Sequence, residues 1–496
     1  MTEILARETG LLEASPTALL LGGRWRAGAG GVTIPVLDPA TELPLTQVAL
    51  AEAVDVADAI EHAAAASRTW RRAAPARRGA VLIEAAELVV GRAEDLALLL
   101  SLEAGKPLDE ARSEVRVAAA WLHWAGNAAV QQAGLTGSSA DGAARVLVAP
   151  RAIGPTVVVA PPASPLAAAA AHAGSALAAG SPVVLIAPGA APLSVLALAA
   201  ALSEAGAEGG LLGALVAGEL PPLLEAGLAR GGVAQVVAPD GAGALAGLAP
   251  MRVPPGGIVS SGGPPVPFLV FADADLDLAV EAAVASRIRS PAVAGAVPTR
   301  FLVSGRVAED FVERLAARAA GMVRGRGTMP GVELGPLGSA AAVEALAESV
   351  EDARWLGATV VTGGAPDPGP GYFFPPTVLA SVHPSSRVVT ERIDGPLVAV
   401  ETFSSDAEAL ARADPGGTGL GELPPTELAF VHTGDLGRAL RVAELLEAAT
   451  VSCNEASPAS LAGPGLGSLW PVGAPAAGGS PLDPFSRRRR FLLGRG

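Results

Sequence analysis

The chain has 496 residues but only one cysteine and five histidines, so the side chains that most often attack, coordinate or carry protons are scarce. Cys453 lies in Val451-Ser452-Cys453-Asn454-Glu455. A carboxylate close to a thiol can draw off its proton, so Cys453 with Glu455 is one candidate nucleophile and base. A small buried side chain ending a strand fits the same residues. His62, His123, His172, His383 and His432 show no i,i+4 or HxH pairing, and a lone cysteine builds neither a disulfide nor a Cys-rich metal site. No metal site is expected. Gly256-Gly257 and Gly262-Gly263 lack a strand–GxGxxG–helix setting and read as turns.

These residues need a large framework. The length suits two or three packed domains. Half the residues are apolar, so the chain can bury a core; aromatics are only 3%, so that core must be built from small and branched side chains. With 49 acidic against 35 basic residues the net charge is −14, which argues against a nucleic-acid surface. The basic run Arg487 to Arg490 reads as a solvated or interface-pairing strand. The single cysteine fits a reducing cytosol. The apolar stretch 156–215 is cut repeatedly by proline and glycine, whereas a membrane helix needs roughly 20 unbroken apolar residues. No membrane role is expected.

Periodicity places helices at Val54–Trp70, Arg77–Val90, Ala93–Glu103 and Ser113–Gln132. From Thr156 onward, continuous apolar runs (Thr156–Val159, Pro182–Ile186) alternate with helices (Ala167–Ala179, Leu193–Ala205), the pattern of a parallel sheet covered on both faces. A second alternation starts at Phe268 and continues through Arg300–Val303, Thr359–Thr362 and Ala429–His432. The expectation is two α/β layers meeting near residues 254–267, with a cleft between them.

Several segments are recognisable in order. Leu102-Glu103-Ala104-Gly105-Lys106-Pro107-Leu108, with Glu110 and Glu114-Val115, resembles the "LExGKPLxEAxxEV" segment of NAD(P)-dependent aldehyde dehydrogenases. Asp38-Pro39-Ala40-Thr41 resembles their "NPATGE", Ala178 to Leu185 their "LAAGNxVVLKP", and Phe271 to Asp277 their "DADLD" helix start. The resemblance implies an aldehyde dehydrogenase-like α/β fold. Its expected parts are a Rossmann-like domain (1–133 and 152–263), a second catalytic-type α/β domain (264–470), and a small β oligomerisation excursion (134–151) with a C-terminal strand (471–496). It also implies that Ala144–Ala149 in the excursion pairs with Phe485–Leu493 of a neighbouring subunit. Lys106, in the "GKP" turn, reads as a solvated helix-end charge, with an interdomain ion pair as the alternative.

The family's chemistry needs a thiolate to attack the carbonyl, a carboxylate base, and an amide with a backbone N–H to hold the oxyanion. Counting back from Arg300, the nucleophile position falls on Gly295, with no Cys, Ser or Thr from Pro291 to Pro298. The base position falls on Ser261, or on Ser260 in the other glycine alignment, and the oxyanion amide on Ala163. The cofactor-holding positions fall on Ile186, Gly189, Asp240 and Arg392. No residue-level match to a cofactor clamp is retained, so no bound cofactor is expected. The sequence reading is therefore a non-catalytic subunit, a structural or regulatory partner in a homo- or hetero-oligomer with an active aldehyde dehydrogenase-like subunit. Its alternatives are an NAD(P)-dependent aldehyde dehydrogenase or oxidoreductase with a rewired site, and a small-molecule sensor using the vestigial cleft.

Overall fold

The computed structural model describes residues 2–239, 257–260, 266–289, 297–391, 393–413, 426–455, 464 and 480–494. The N-terminal third runs α1 (Thr2–Ala14), β1 (Leu19–Leu21), β2 (Arg24–Arg26), β3 (Thr33–Leu37), β4 (Pro44–Ala49), α2 (Ala53–Arg72), α3 (Pro75–Gly91), α4 (Ala93–Ala104) and α5 (Leu108–Gln131). Then β5 (Leu135–Ser138) and β6 (Ala144–Ala152) leave the body, and β7 (Thr156–Val159), α6 (Pro165–Ala179), β8 (Val183–Pro188), α7 (Leu193–Glu204), β9 (Leu212–Ala217), α8 (Leu220–Ala229), β10 (Gln235–Ala238) and β11 (Ile258–Ser260) return to it. The first sheet has the order β11-β10-β7-β8-β9-β1-β2. Its chain order reverses between β7 and β10, the place where a Rossmann-like sheet opens a crevice beyond the carboxyl ends of its strands.

A second seven-stranded sheet follows, from β12 (Pro267–Val270), β13 (Arg300–Ser304), β14 (Thr359–Thr362), β15 (Thr377–Ala380), β16 (Leu397–Phe403), β17 (Thr426–His432) and β18 (Ala448–Cys453). Only β14 runs antiparallel. The α/β architecture read from the alternation is thus present in both halves. Among the described residues, no helix is long and apolar enough to cross a membrane.

Small residues set the helix spacing. Gly79 on α3 and Gly126 on α5 face each other, and a Cβ on Gly79 would meet the Gly126 carbonyl oxygen at 2.5 Å. Ala-rich α6, buried along its whole length, lies against α5. Pro165 starts α6 and Gly180, at φ +98°, ends it. Two long side chains then cap its last carbonyls: Trp70 Nε1 donates to Leu177 O at 2.9 Å and Arg78 Nε to Ala178 O at 2.9 Å.

Buried carboxylates fix the opposite ends. Glu114 Oε1 accepts from the backbone N–H of Leu166 and Ala167 at 3.0 and 3.1 Å, at the start of α6. Its other oxygen pairs with Lys106 Nζ. Lys106 is therefore a buried partner rather than the solvated charge expected at a helix end: the Gly105 turn folds its side chain inward onto α5. Glu103 accepts from Leu193 N and Ser194 N, at 2.6 and 2.9 Å, at the start of α7. Burial pushes the Glu103 carboxyl up to about 7, against the downward pull of those donors.

The two sheet units are tied by side chains distant in sequence. Arg326 grips Asp38 at 2.9 Å and Glu8 of α1 at 3.0 Å. Leu108 N donates to Gly327 O, and Tyr372 N to Pro39 O.

A third sheet has the order β19-β6-β5, with β19 spanning Ser486–Gly494. Here the structure corrects the expected exchange between subunits. β19 pairs antiparallel with β6 of its own chain, from Ser486↔Ala152 to Gly494↔Ala144. The physical reason is the anchor at its start: Phe485 is fully buried, its carbonyl accepts from Ile153 N, and Gln132 Nε2 donates to Ser486 Oγ. The strand therefore begins beside the end of β6.

Removing one partner of a buried ion pair costs about 3–5 kcal/mol, against 0–1 for an exposed pair. Glu114→Ala is expected to fall in the first range and Glu204→Ala, which breaks the exposed Arg92 pair, in the second. Chemical denaturation measures both; equal small losses would refute the role given to Glu114.

Candidate active site

At the reversal point of the first sheet, the carboxyl ends of four strands enclose a crevice of about 270 Å³. β7 contributes Val159 to Pro162, β8 Ile186 to Ala190, β9 Ala217 and Gly218, and β10 Ala238. The flanking helices α6 and α7 begin directly beyond these strands, where Glu114 and Glu103 hold them. Every described lining side chain is apolar, so the crevice offers flat packing surfaces and no side-chain hydrogen-bond donor. Its volume lies below the roughly 300–1,000 Å³ of drug-sized sites.

The structure brings Ile186 and Gly189 together in this crevice. Ala163 follows the lining residue Pro162 and immediately precedes the N-cap residue Ser164 of α6. Ser164 Oγ is buried without a hydrogen-bond partner. Ser261, Gly295, Asp240 and Arg392 lie outside the described residues, and the side chain of Ser260, in β11, is likewise not described.

The helix Leu276–Ala283 passes into a π-helical turn, Val284–Arg289. Arg287 in that turn donates to Leu397 O at 2.7 Å and Ile393 O at 2.6 Å. Arg289 pairs with Glu333. These contacts fix the chain up to Arg289.

At the carboxyl ends of the second sheet, Cys453 ends β18 beside Val431. It is exposed, not the buried strand-end residue of the simpler sequence reading. Desolvation of the sulfur pushes its pKa up. Glu455 is also exposed, and no hydrogen bond joins it to Cys453. The geometry gives the thiol no activating base.

The next residue organises this edge, a role sequence reasoning missed. Asn454 sits at φ +52°. Its Oδ1 accepts from Thr433 N at 3.0 Å and its Nδ2 donates to Thr433 O at 2.8 Å. Thr433 Oγ1 donates in turn to Asp273, which also pairs with Arg438. An asparagine after a strand is a weak signal for such a staple. Among the described residues, no group of three or more His, Cys, Asp or Glu side chains could hold a metal ion.

Comparison with known proteins bears on the whole chain. The model of the "Aldehyde dehydrogenase family" matches residues 25–236 and 257–468. A succinate-semialdehyde dehydrogenase of Paenarthrobacter nicotinovorans is 36% identical over 88% of this chain and 95% of its own. A succinate-semialdehyde dehydrogenase (NADP(+)) of Escherichia coli K12 is 32% identical over 88% and 89%. The crystal structure of a succinate-semialdehyde dehydrogenase from Burkholderia pseudomallei superimposes with a TM-score of 0.88 at 31% identity, covering 97% of this chain and 98% of that one. These relatives overturn the sequence reading of a non-catalytic partner subunit. Proteins named as dehydrogenases share about a third of their residues with nearly the entire chain, which points to an enzyme.

The exposed, unactivated thiol has a direct readout. Alkylation of Cys453 by iodoacetamide should show a midpoint above the ordinary thiol value of about 8.5. A midpoint near pH 7 would reveal an activating partner and contradict the geometry.

Proposed function

The chain belongs to the aldehyde dehydrogenase family, and on that premise we propose that it is an NAD(P)-dependent oxidoreductase of a small aldehyde bearing a carboxylate at its other end. The observation that carries this reading is the 36% identity over 443 residues with a succinate-semialdehyde dehydrogenase. The crevice at the sheet reversal supports the cofactor by place and shape: its apolar walls fit a planar ring. A bound nicotinamide dinucleotide supplies the hydride acceptor.

The site is rewired relative to the family pattern. Gly295 stands at the nucleophile position, Ser261 at the base position and Ala163 at the oxyanion amide. With no thiol there, the reacting species is the aldehyde hydrate. A nicotinamide held beside Ile186 and Gly189 would supply the two-electron oxidation of that hydrate to the carboxylic acid, with the hydroxyl proton passing to water and no bond to the protein. Ile186 and Gly189 leave the adenosine ribose without side-chain partners, and Asp240 and Arg392 replace further cofactor-holding groups. Each missing charge-assisted hydrogen bond is worth roughly 1.5–3 kcal/mol, so the cofactor is held weakly and chiefly by apolar contact. The lone cysteine fits a reducing, cytoplasmic setting.

The same reading includes assembly with further copies. The arm formed by β5, β6 and β19 exposes Leu135, Leu147, Phe491, Leu492 and Leu493, and Phe491 and Leu147 are register partners. Such a surface favours burial against a second subunit. A Leu147→Glu/Phe491→Glu variant should sediment as a smaller species than the parent. Equal sedimentation of both would remove the arm from the interface.

For activity, the intact protein is incubated with succinate semialdehyde and millimolar NAD+ or NADP+, and reduced nicotinamide is followed by absorbance. Turnover that survives Cys453→Ala is expected. Absence of turnover with both cofactors across a panel of aldehydes would defeat the proposal, and turnover abolished by Cys453→Ala would move the chemistry to that thiol.

A further inference from the structure

A second concavity, of about 630 Å³, opens at the other end of the first sheet from the crevice. Its walls are the last turns of α2, the turn into α3, and the loop 208–211 that leads into β9. Arg68, Arg72 and Arg77 line it, with Thr69, and Glu208 stands on the loop side. The three arginines are exposed. None of their side chains has an ion pair or hydrogen bond among the described residues, although many surface arginines of this acidic chain do: Arg26 with Asp58, Arg92 with Glu204, Arg112 with Glu94.

Helix-end electrostatics explain only part of this. Arg72 in the last turn of α2 complements the negative end of the helix dipole. Arg68 lies one turn earlier on the same face, and like charges at i,i+4 repel. Arg77 lies in the first turn of α3, where the dipole already disfavours a cation. The three charges are therefore gathered against local preference. The turn that carries them is also rigid: Trp70 and Arg78 bond the end of α6, and Arg78 Nη1 donates to Ala73 O at 2.7 Å. A fixed concave surface of this size, lined by three guanidinium groups against a single carboxylate, Glu208, matches a small ligand with several anionic oxygens.

We propose that the groove lined by Arg68, Arg72 and Arg77 binds a small polyanion, a phosphorylated or polycarboxylated metabolite, at a site separate from the dehydrogenase crevice. Glu208 limits the affinity and favours ligands with a hydroxyl or amine at that end. The test is calorimetry on the full chain at low ionic strength, with inorganic pyrophosphate in one arm and citrate in the other. Saturable binding of one anion per chain is expected in at least one arm, and the tighter arm names the class. Arg68→Ala/Arg72→Ala/Arg77→Ala should weaken it at least tenfold, and Glu208→Gln should tighten it severalfold without disturbing any arginine. Absence of saturable binding in both arms, or affinities indifferent to both variants, would overturn the proposal.

Discussion

Two buried carboxylates govern where the crevice walls stand. Helix starts leave N–H groups without partners, and α6 and α7 both start inside the protein, where water cannot satisfy them. Glu114 and Glu103 do so from one short segment, the end of α4 and the start of α5. Lys106 neutralises one of the two. The segment thus sets the axial position of both helices that flank β8, and so the depth of the crevice at Ile186 and Gly189. The two carboxyl groups also occupy these helix starts.

Axial position alone does not define a wall; lateral spacing must follow. Here the low aromatic content has a structural consequence. Gly79 against Gly126, and the alanine face of α6 against α5, let the helices approach closely, and close approach makes up in contact density what large side chains would supply in area. Trp70 and Arg78 are exceptions in size, and both spend their polar ends on the carbonyls that finish α6. Helix α6 is therefore held at its start by a carboxylate and at its end by an indole and a guanidinium.

Local periodicity made much of this legible. The helix read at Val54–Trp70 is α2, and the strand read at Thr156–Val159 has those bounds in the structure. α5 begins at Leu108 rather than Ser113, because Pro107 and the acidic first turn start it earlier than the apolar repeat suggests. Periodicity does not mark α1, β3 or β4. α1 carries little periodic signal of its own and is held by Glu8 on Arg326, more than three hundred residues away. Burial of Lys106 and the pairing of β19 within its own chain depend on equally distant contacts. The site was legible only as positions: Ile186 and Gly189 can be placed in the crevice, while Asn454 and Asp273 gained their roles only once Thr433 was seen between them.

The contrast between framework and site has a physical basis. A framework contact such as Arg326 with Asp38 and Glu8, or Arg300 forked on buried Glu401, joins segments that must meet for the chain to fold. Replacing one member strands the others without water. A reacting side chain at the crevice mouth has no such dependants. It touches ligand and solvent rather than the core. A chain can therefore keep both sheets, both helix-start carboxylates and the interdomain clasp while the residues at the reacting positions change. Family membership follows from the first set of contacts, and the particular chemistry follows from the second.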